Sequence, residues 1–204
     1  MLALNCAGCG ASLLSSDAIG PPTIPAKFVL PKETTLVLVE DYRTAAGGDV
    51  DSDRLGNLVA QELTVNDVAP LVDAGALADL RDRDPQGYRK MTVAEIGRAV
   101  AAKQVVYVSV YGYGTEAPIA GDMVKYKASV KVKVVDSQTG ASRWPQDLAD
   151  GQPVIAETNY KELDPDKADV PIREEMNRML AQRIGNLFHS WQKASDEGSD
   201  YLDQ

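Results

Sequence analysis

The sequence predicts an α+β domain, a mixed β-sheet with helices packed on one face, in the order β-α-β-α-β-β-β-α. Three observations carry this expectation. From Tyr126 to Val134 the residues alternate strictly, with Tyr126, Ala128, Val130, Val132 and Val134 on one side and Lys127, Ser129, Lys131 and Lys133 on the other. That is the period of a strand with one buried face and one wet face. Asp136 to Gly140 follows as turn chemistry, an Asp able to bond its own backbone and a Gly free to take positive φ, before a return through Trp144. Near the C-terminus Ile172, Met176, Met179, Leu180, Ile184, Leu187, Phe188 and Trp191 recur at helical spacing, the apolar stripe of a long amphipathic helix.

The remaining elements follow from local patterns. Thr34 to Glu40 is a short apolar, β-rich run and reads as a buried strand. Leu55, Leu58, Val59, Glu62 and Leu63 show helical spacing behind Asp51-Ser52-Asp53, which supplies N-caps and favourable charge at the positive helix end. Val68 to Asp73 reads as a second short strand, and Ala76 to Arg83 as one or two helical turns. Thr92 and Glu95 form a capping box, with Met91 placed to staple against Ile96. Gln104 to Tyr113 is a third strand, with Val106, Val108 and Val110 on one face and Tyr107, Ser109, Tyr111 and Tyr113 on the other. Val154 to Tyr160 supplies a further strand.

The 204 residues, 44% hydrophobic and 25% charged, suit one ordinary domain with tails. A net charge of -9 argues against a nucleic-acid binder, which needs a basic footprint. No run approaches the roughly 20 apolar residues of a membrane helix. Residues 10–32 carry Ser12, Ser15, Ser16, Gly20, Pro21, Pro22, Pro25 and Pro31 without apolar period and read as a flexible tether. An extended segment packed along the domain is an equal reading for residues 24–32. The single mixed domain is expected over residues 33–193, and residues 194–204 read as a disordered acidic tail.

The motifs that carry chemistry are few. Asp49-Val50-Asp51-Ser52-Asp53 resembles the opening of a calcium loop. However, Arg54 stands where such a loop needs Gly and Ala60 where it needs a bidentate Glu, so a helix-capping loop is expected and no metal. Gly112-Tyr113-Gly114 follows a strand without opening a helix and reads as a bend into a loop at Thr115 to Asp122 rather than a phosphate cradle. His189, the only histidine, has no nucleophile or acid placed against it by pattern, and no nucleophile elbow exists. The reading is therefore non-enzymatic, with no cofactor. The candidate binding surface is the wet sheet face: Lys125, Lys127, Lys131 and Lys133 on one strand beside Tyr107, Tyr111 and Tyr113 on its neighbour. A local basic and aromatic face on an acidic protein suits a polyanion, a glycan or a partner protein; lysines that discourage edge pairing are the plainer explanation.

The two cysteines stand together in Cys6-Ala7-Gly8-Cys9. A structural zinc site needs four ligands, and only His189 remains to help. A redox Cys-x-x-Cys wants a strand before and a helix after, and a Ser- and Pro-rich stretch follows instead. The segment resembles the lipobox of secreted bacterial lipoproteins: Leu2-Ala3-Leu4 as the end of an apolar region, Ala7-Gly8 before the cut, and Cys9 as the lipidated residue. Residues 1–9 would then be a signal remnant and lipobox. Cys6 stands where Leu is usual and no basic segment precedes it, so either the true start lies upstream or the segment is not a signal.

With that site, the early strand-helix-strand around Leu36 to Val72 and the hairpin Val132-Lys133-Val134-Val135-Asp136-Ser137-Gln138-Thr139-Gly140 ending in Trp144, the chain resembles a bacterial envelope lipoprotein superfamily. That group includes the TolB amino-terminal domain, the curli-secretion lipoprotein and the LpoB-type activator of peptidoglycan synthases. The details are most similar to uncharacterised lipoproteins of the planctomycete type. The resemblance implies a periplasm-facing, lipid-anchored, non-catalytic module that docks onto envelope proteins or cell-wall components. It transfers no residue beyond Cys9 as the lipidation site. Two alternatives stand beside it: a soluble domain with a Cys-x-x-Cys metal or redox site, and an oligomeric secretion component.

Overall fold

In a computed structural model of the chain, residues 22–41, 50–116, 123–162 and 170–192 are described. The lipobox-like segment at 1–9, the first half of the expected tether, the loop at 117–122 and the tail at 194–204 lie outside them. So does Asp49, the first residue of the calcium-like run. The elements begin with β1 (Thr23–Ile24), β2 (Thr35–Asp41), α1 (Val50–Val65), α2 (Ala74–Arg83), α3 (Pro85–Tyr88) and α4 (Val93–Ala99). They continue with β3 (Gln104–Glu116), β4 (Met123–Asp136), β5 (Ser142–Trp144), β6 (Gln152–Glu157), β7 (Lys161–Glu162), α5 (Val170–Gly185) and β8 (Trp191–Gln192). Ala26–His189 forms one compact unit; in a second, β1 and β8 pair antiparallel.

The sheet of the larger unit is mixed, as the alternation and the order of elements predict. β2 runs parallel to β3, β3 runs antiparallel to β4, and β4 takes β5, β6 and β7 antiparallel on its other side. The valine faces meet as expected: Val106 lies opposite Val134, Val108 opposite Val132 and Val110 opposite Val130. All six are buried, together with Tyr126, Ala128, Val154 and Ala156. Leu55, Val59 and Leu63 of α1 and Met176, Leu180 and Ile184 of α5 close over this face and complete the main core. Each such side chain gains roughly 1.5–3 kcal/mol on burial, so this layer outweighs any single surface contact.

Helices occupy the opposite face as well, which the one-face expectation did not include. Leu36, Leu38, Val105, Tyr107 and Val135 form a second, smaller core under Ile96 of α4. Leu77, Leu80, Tyr88, Met91 and Val93 from α2 to α4 and their joins pack against it. The capping box of α4 forms as predicted, with the Thr92 side chain accepting from Glu95 N–H and Glu95 accepting from Thr92 N–H. Met91 and Ile96 share this second core, as a staple requires. The helix sits so close to the sheet that a Cβ on Gly97 would lie 2.5 Å from Ser137 Oγ and 2.7 Å from Val105 Cγ2.

Two boundaries differ from expectation, and one choice between two equal readings is decided. The strand expected at Val68 to Asp73 is a single parallel bridge, Leu71 with Thr35. Pro70 has no N–H to extend the ladder, and Asp73 leaves it to cap α2 by accepting from Gly75 N–H at 2.6 Å. The last helix stops at Gly185, and the chain tightens into shorter bonds, Leu187 N–H to Ile184 O and Phe188 N–H to Gly185 O. Trp191 therefore belongs to β8 and not to the helical stripe. Finally, residues 26–32 are packed rather than free: Leu30 is buried and Phe28 N–H donates to Leu187 O at 3.0 Å. The Phe28 ring stacks on Trp144, which meets Phe188 edge-on, so three distant segments converge at one aromatic cluster.

Candidate functional site

The hairpin β4–β5 positions the surface the sequence singles out. Asp136 Oδ1 accepts from Gln138 N–H at 2.8 Å and Thr139 N–H at 2.9 Å, and Gly140 takes φ +74° to turn the chain back. This fixes the register of β4, whose alternate residues Lys125, Lys127, Ser129, Lys131 and Lys133 leave the main core and face the other side of the sheet.

The basic and aromatic residues do not form one continuous free patch. Lys125 and Lys127 both pair with Glu157 of β6, the second at 3.0 Å. Lys131 pairs with Asp150 at 3.0 Å, and its ammonium lies 5.4 Å from the centre of the Tyr111 ring. Lys125 first, then Lys127, holds the Glu157 carboxyl below its usual range, and Lys131 does the same for Asp150. The lysines thus stand in alternating-sign pairs, which favour a partner of mixed charge over a pure polyanion. Lys133 lies directly across the ladder from Tyr107.

The three tyrosines part company. Tyr107 is buried in the second core, and its hydroxyl donates to Glu40 Oε2 at 2.7 Å. Tyr111 is 47% exposed and stays on the lysine face. Tyr113 does not share that face. A bulge between Val110 and Gly112 inserts Tyr111 as an extra residue, so Gly112 meets Ser129 and Tyr113 meets Ala128. Tyr113 is thereby turned onto the main core, where it packs as a partly buried ring. The surface that remains is Tyr111 among the Lys131–Asp150 and Lys125/Lys127–Glu157 pairs.

The sequence reading missed those two carboxylates, because ion pairs across strands have no local signature. It also missed a cleft along the free edge of β2, lined by Val37, Val39, Gly56, Ala60, Leu77 and Arg81 among others. Pro70 was the available signal, since a proline in an expected strand argues that the strand stops and leaves its neighbour's edge open.

Cys6 and Cys9 lie outside the described residues, and among the described residues no three His, Cys, Asp or Glu side chains gather as a metal site. His189 follows α5 rather than lying in it, with Nε2 3.7 Å from the position of a Cβ on Gly185. No described helix is long and apolar enough to cross a membrane.

No protein-family model matches the chain, and comparison with curated proteins gives no match. Among solved structures the chain is similar to a lipoprotein from Neisseria meningitidis, with 15% identity, TM-score 0.42, 76% of this chain covered and 99% of that one. It is similar to a PelC dodecamer from Paraburkholderia phytofirmans, with 14% identity, TM-score 0.39, and 84% and 95% covered. A hypothetical protein from Chlamydia trachomatis gives 14% identity, TM-score 0.42, and 77% and 98% covered. At these scores the likeness carries no function, partner or assembly state over to this chain.

Proposed function

We propose that this chain is a lipid-anchored lipoprotein of the bacterial cell envelope that acts as a non-catalytic binding or assembly module. The observation that carries the reading is Ala7-Gly8-Cys9 followed by a Ser- and Pro-rich stretch, ahead of a compact unit that begins at Ala26. Cys9 is the anchor, and a cysteine lipidated in this way carries enough acyl chain to hold a protein at a membrane. Residues 10–22 are the tether, and at ~3.3 Å per residue they reach up to about 40 Å. The module faces the periplasm and docks on envelope proteins or cell-wall components. Tyr111, with Lys125, Lys127, Lys131 and Lys133 on the same side of the sheet, is the docking face.

Membrane fractionation of wild type and Cys9→Ser tests the anchor. The reading expects wild type in the membrane fraction and the variant released. A variant that stays with the membrane removes Cys9 as the anchor.

A further inference from the structure

The two long edges of the sheet are treated differently. On the β6 side Arg183 of α5 donates from Nη1 to one carbonyl, that of Ile155, at 2.5 Å. On the β2 side the cover stops after one residue. Thr35 N–H donates to Pro70 O at 2.8 Å, and Thr35 O accepts from Val72 N–H at 2.9 Å. Both backbone groups of Thr35 therefore point outward, and the two-residue period of the strand turns those of Val37 and Val39 the same way. Among the described residues no hydrogen bond satisfies them.

This open edge is not a flat exposed one. It runs along a cleft between α1 and α2, with Gly56 and Ala60 on one wall and Leu77 on the other. Val39 is only 8% exposed. At the end of the cleft Arg81 holds both carboxylate oxygens of Asp53 through Nη1, at 3.0 and 2.9 Å. Its Nε is buried and makes no hydrogen bond.

The geometry points to this cleft as a strand-addition site for an extended segment of a partner polypeptide, which continues along β2 the line that Pro70–Val72 begins. The occupant follows from what the cleft offers. Donors and acceptors along Val37 and Val39 are complementary to another main chain, whereas an anion would need donors only and an amphipathic helix would need neither. A second copy of this chain, pairing through its own β2, is the competing occupant, and Val37 and Val39 protection that rises with protein concentration alone would identify it and overturn the proposal. At the end of the cleft Arg81 Nε, buried and without a hydrogen bond, is a donor for an oxygen of the segment.

This deepens the binding-module reading and rests on it, but not on the anchor, so the test uses the full 204-residue chain carrying Cys9→Ser. Amide exchange is followed by NMR, and the probe is a set of seven-residue peptides selected on this protein from a random phage-displayed library. In the free protein the Val37 and Val39 amides are expected to exchange at least about tenfold faster than Leu38, whose N–H points to β3. A selected peptide slows both. Val37→Pro removes the outward N–H while leaving the bonds to β3, and is expected to weaken the peptide at least about tenfold while the Leu38 amide stays protected. Gly56→Leu, which fills the cleft, gives the same loss by another route. Val37 and Val39 amides as protected as Leu38 in the free protein would overturn the proposal, because the chain then covers this edge itself. So would a library that yields no binder, or binders whose shifts map to the Tyr111 face; neither result bears on Cys9.

Discussion

Arg143 Nη2 donates to Asp136 Oδ2 at 2.7 Å, and its Nε reaches the same oxygen at 3.0 Å. Through Nη1 the same guanidinium also donates to Glu33 Oε2 at 2.8 Å and Gln104 Oε1 at 2.9 Å. Gln104 is fully buried and donates in turn to Pro31 O and Thr35 Oγ1, both at 2.9 Å. One side chain on the returning strand thus ties the hairpin turn to the start of β2 and to the segment before it.

Arg143→Met keeps the length of the side chain and removes every donor. It leaves the buried Gln104 Oε1 without its partner, which costs about 1–3 kcal/mol. Urea unfolding should show stability lowered by that amount, read as a lower midpoint with an unchanged slope. An unchanged midpoint would mean that the network is ornamental.

Stability should fall in acid, and Asp136 should be a main cause. The backbone N–H of Thr139 first, then Arg143, holds its carboxyl below the usual carboxylate range. A depressed folded-state value contributes stability that is present above the unfolded value of about 3.9 and is lost as pH falls through the folded one. Glu157 and Asp150, lowered by Lys125 and Lys131, add with the same sign. Unfolding midpoints measured downward from pH 7 should therefore drop most steeply below pH ~4. Asp136→Asn should flatten that drop, and a curve parallel to wild type would contradict the assignment. Added salt should weaken the Glu157 and Asp150 parts more than the backbone bonds to Asp136.

Tyr111 and Tyr113 are two residues apart and should behave oppositely. Tyr113→Ala strips a ring from the main core and should destabilise by roughly 1–3 kcal/mol, while Tyr111→Ala should stay within about 0.5 kcal/mol. Thermal unfolding of the two variants reads the bulge directly. Equal effects would mean that β3 runs straight through Gly112.

That bulge marks the limit of what local pattern reveals. The alternation from Tyr126 to Val134, the turn at Asp136 to Gly140 and the Thr92–Glu95 cap are each specified within a few residues, and each forms as expected. Tyr113 changes face because one extra residue is accommodated on β3, and nothing in Tyr111-Gly112-Tyr113 requires it. The second core is spread over Leu77, Leu80, Tyr88, Met91 and Val93 in three short helices and their joins, none long enough to show a convincing stripe. Glu157 and Asp150 meet their lysines only once β6 lies beside β4. The β2 edge is a feature of a strand that did not form, and Pro70 is its only trace.

Gly97→Ala weighs two known terms against each other. Alanine improves helix propensity by about 1 kcal/mol. Its Cβ would nevertheless lie 2.5 Å from Ser137 Oγ and 2.7 Å from Val105 Cγ2, and overpacking of this kind costs about 1–3 kcal/mol. Clash should win, with a lower unfolding temperature. Gly114→Ala meets nothing within 4 Å and serves as the control. A stabilised Gly97→Ala would show that α4 can lift away from the sheet.

The most direct test of the anchored-module account is the intact mass of the protein, produced in a bacterium from its native gene with any upstream start and extracted into detergent. The account predicts a mature chain that begins at Cys9, carries acyl chains and partitions into the detergent phase. An unprocessed, water-soluble product that retains both Cys6 and Cys9 would contradict it, and would make that cysteine pair the next site to examine.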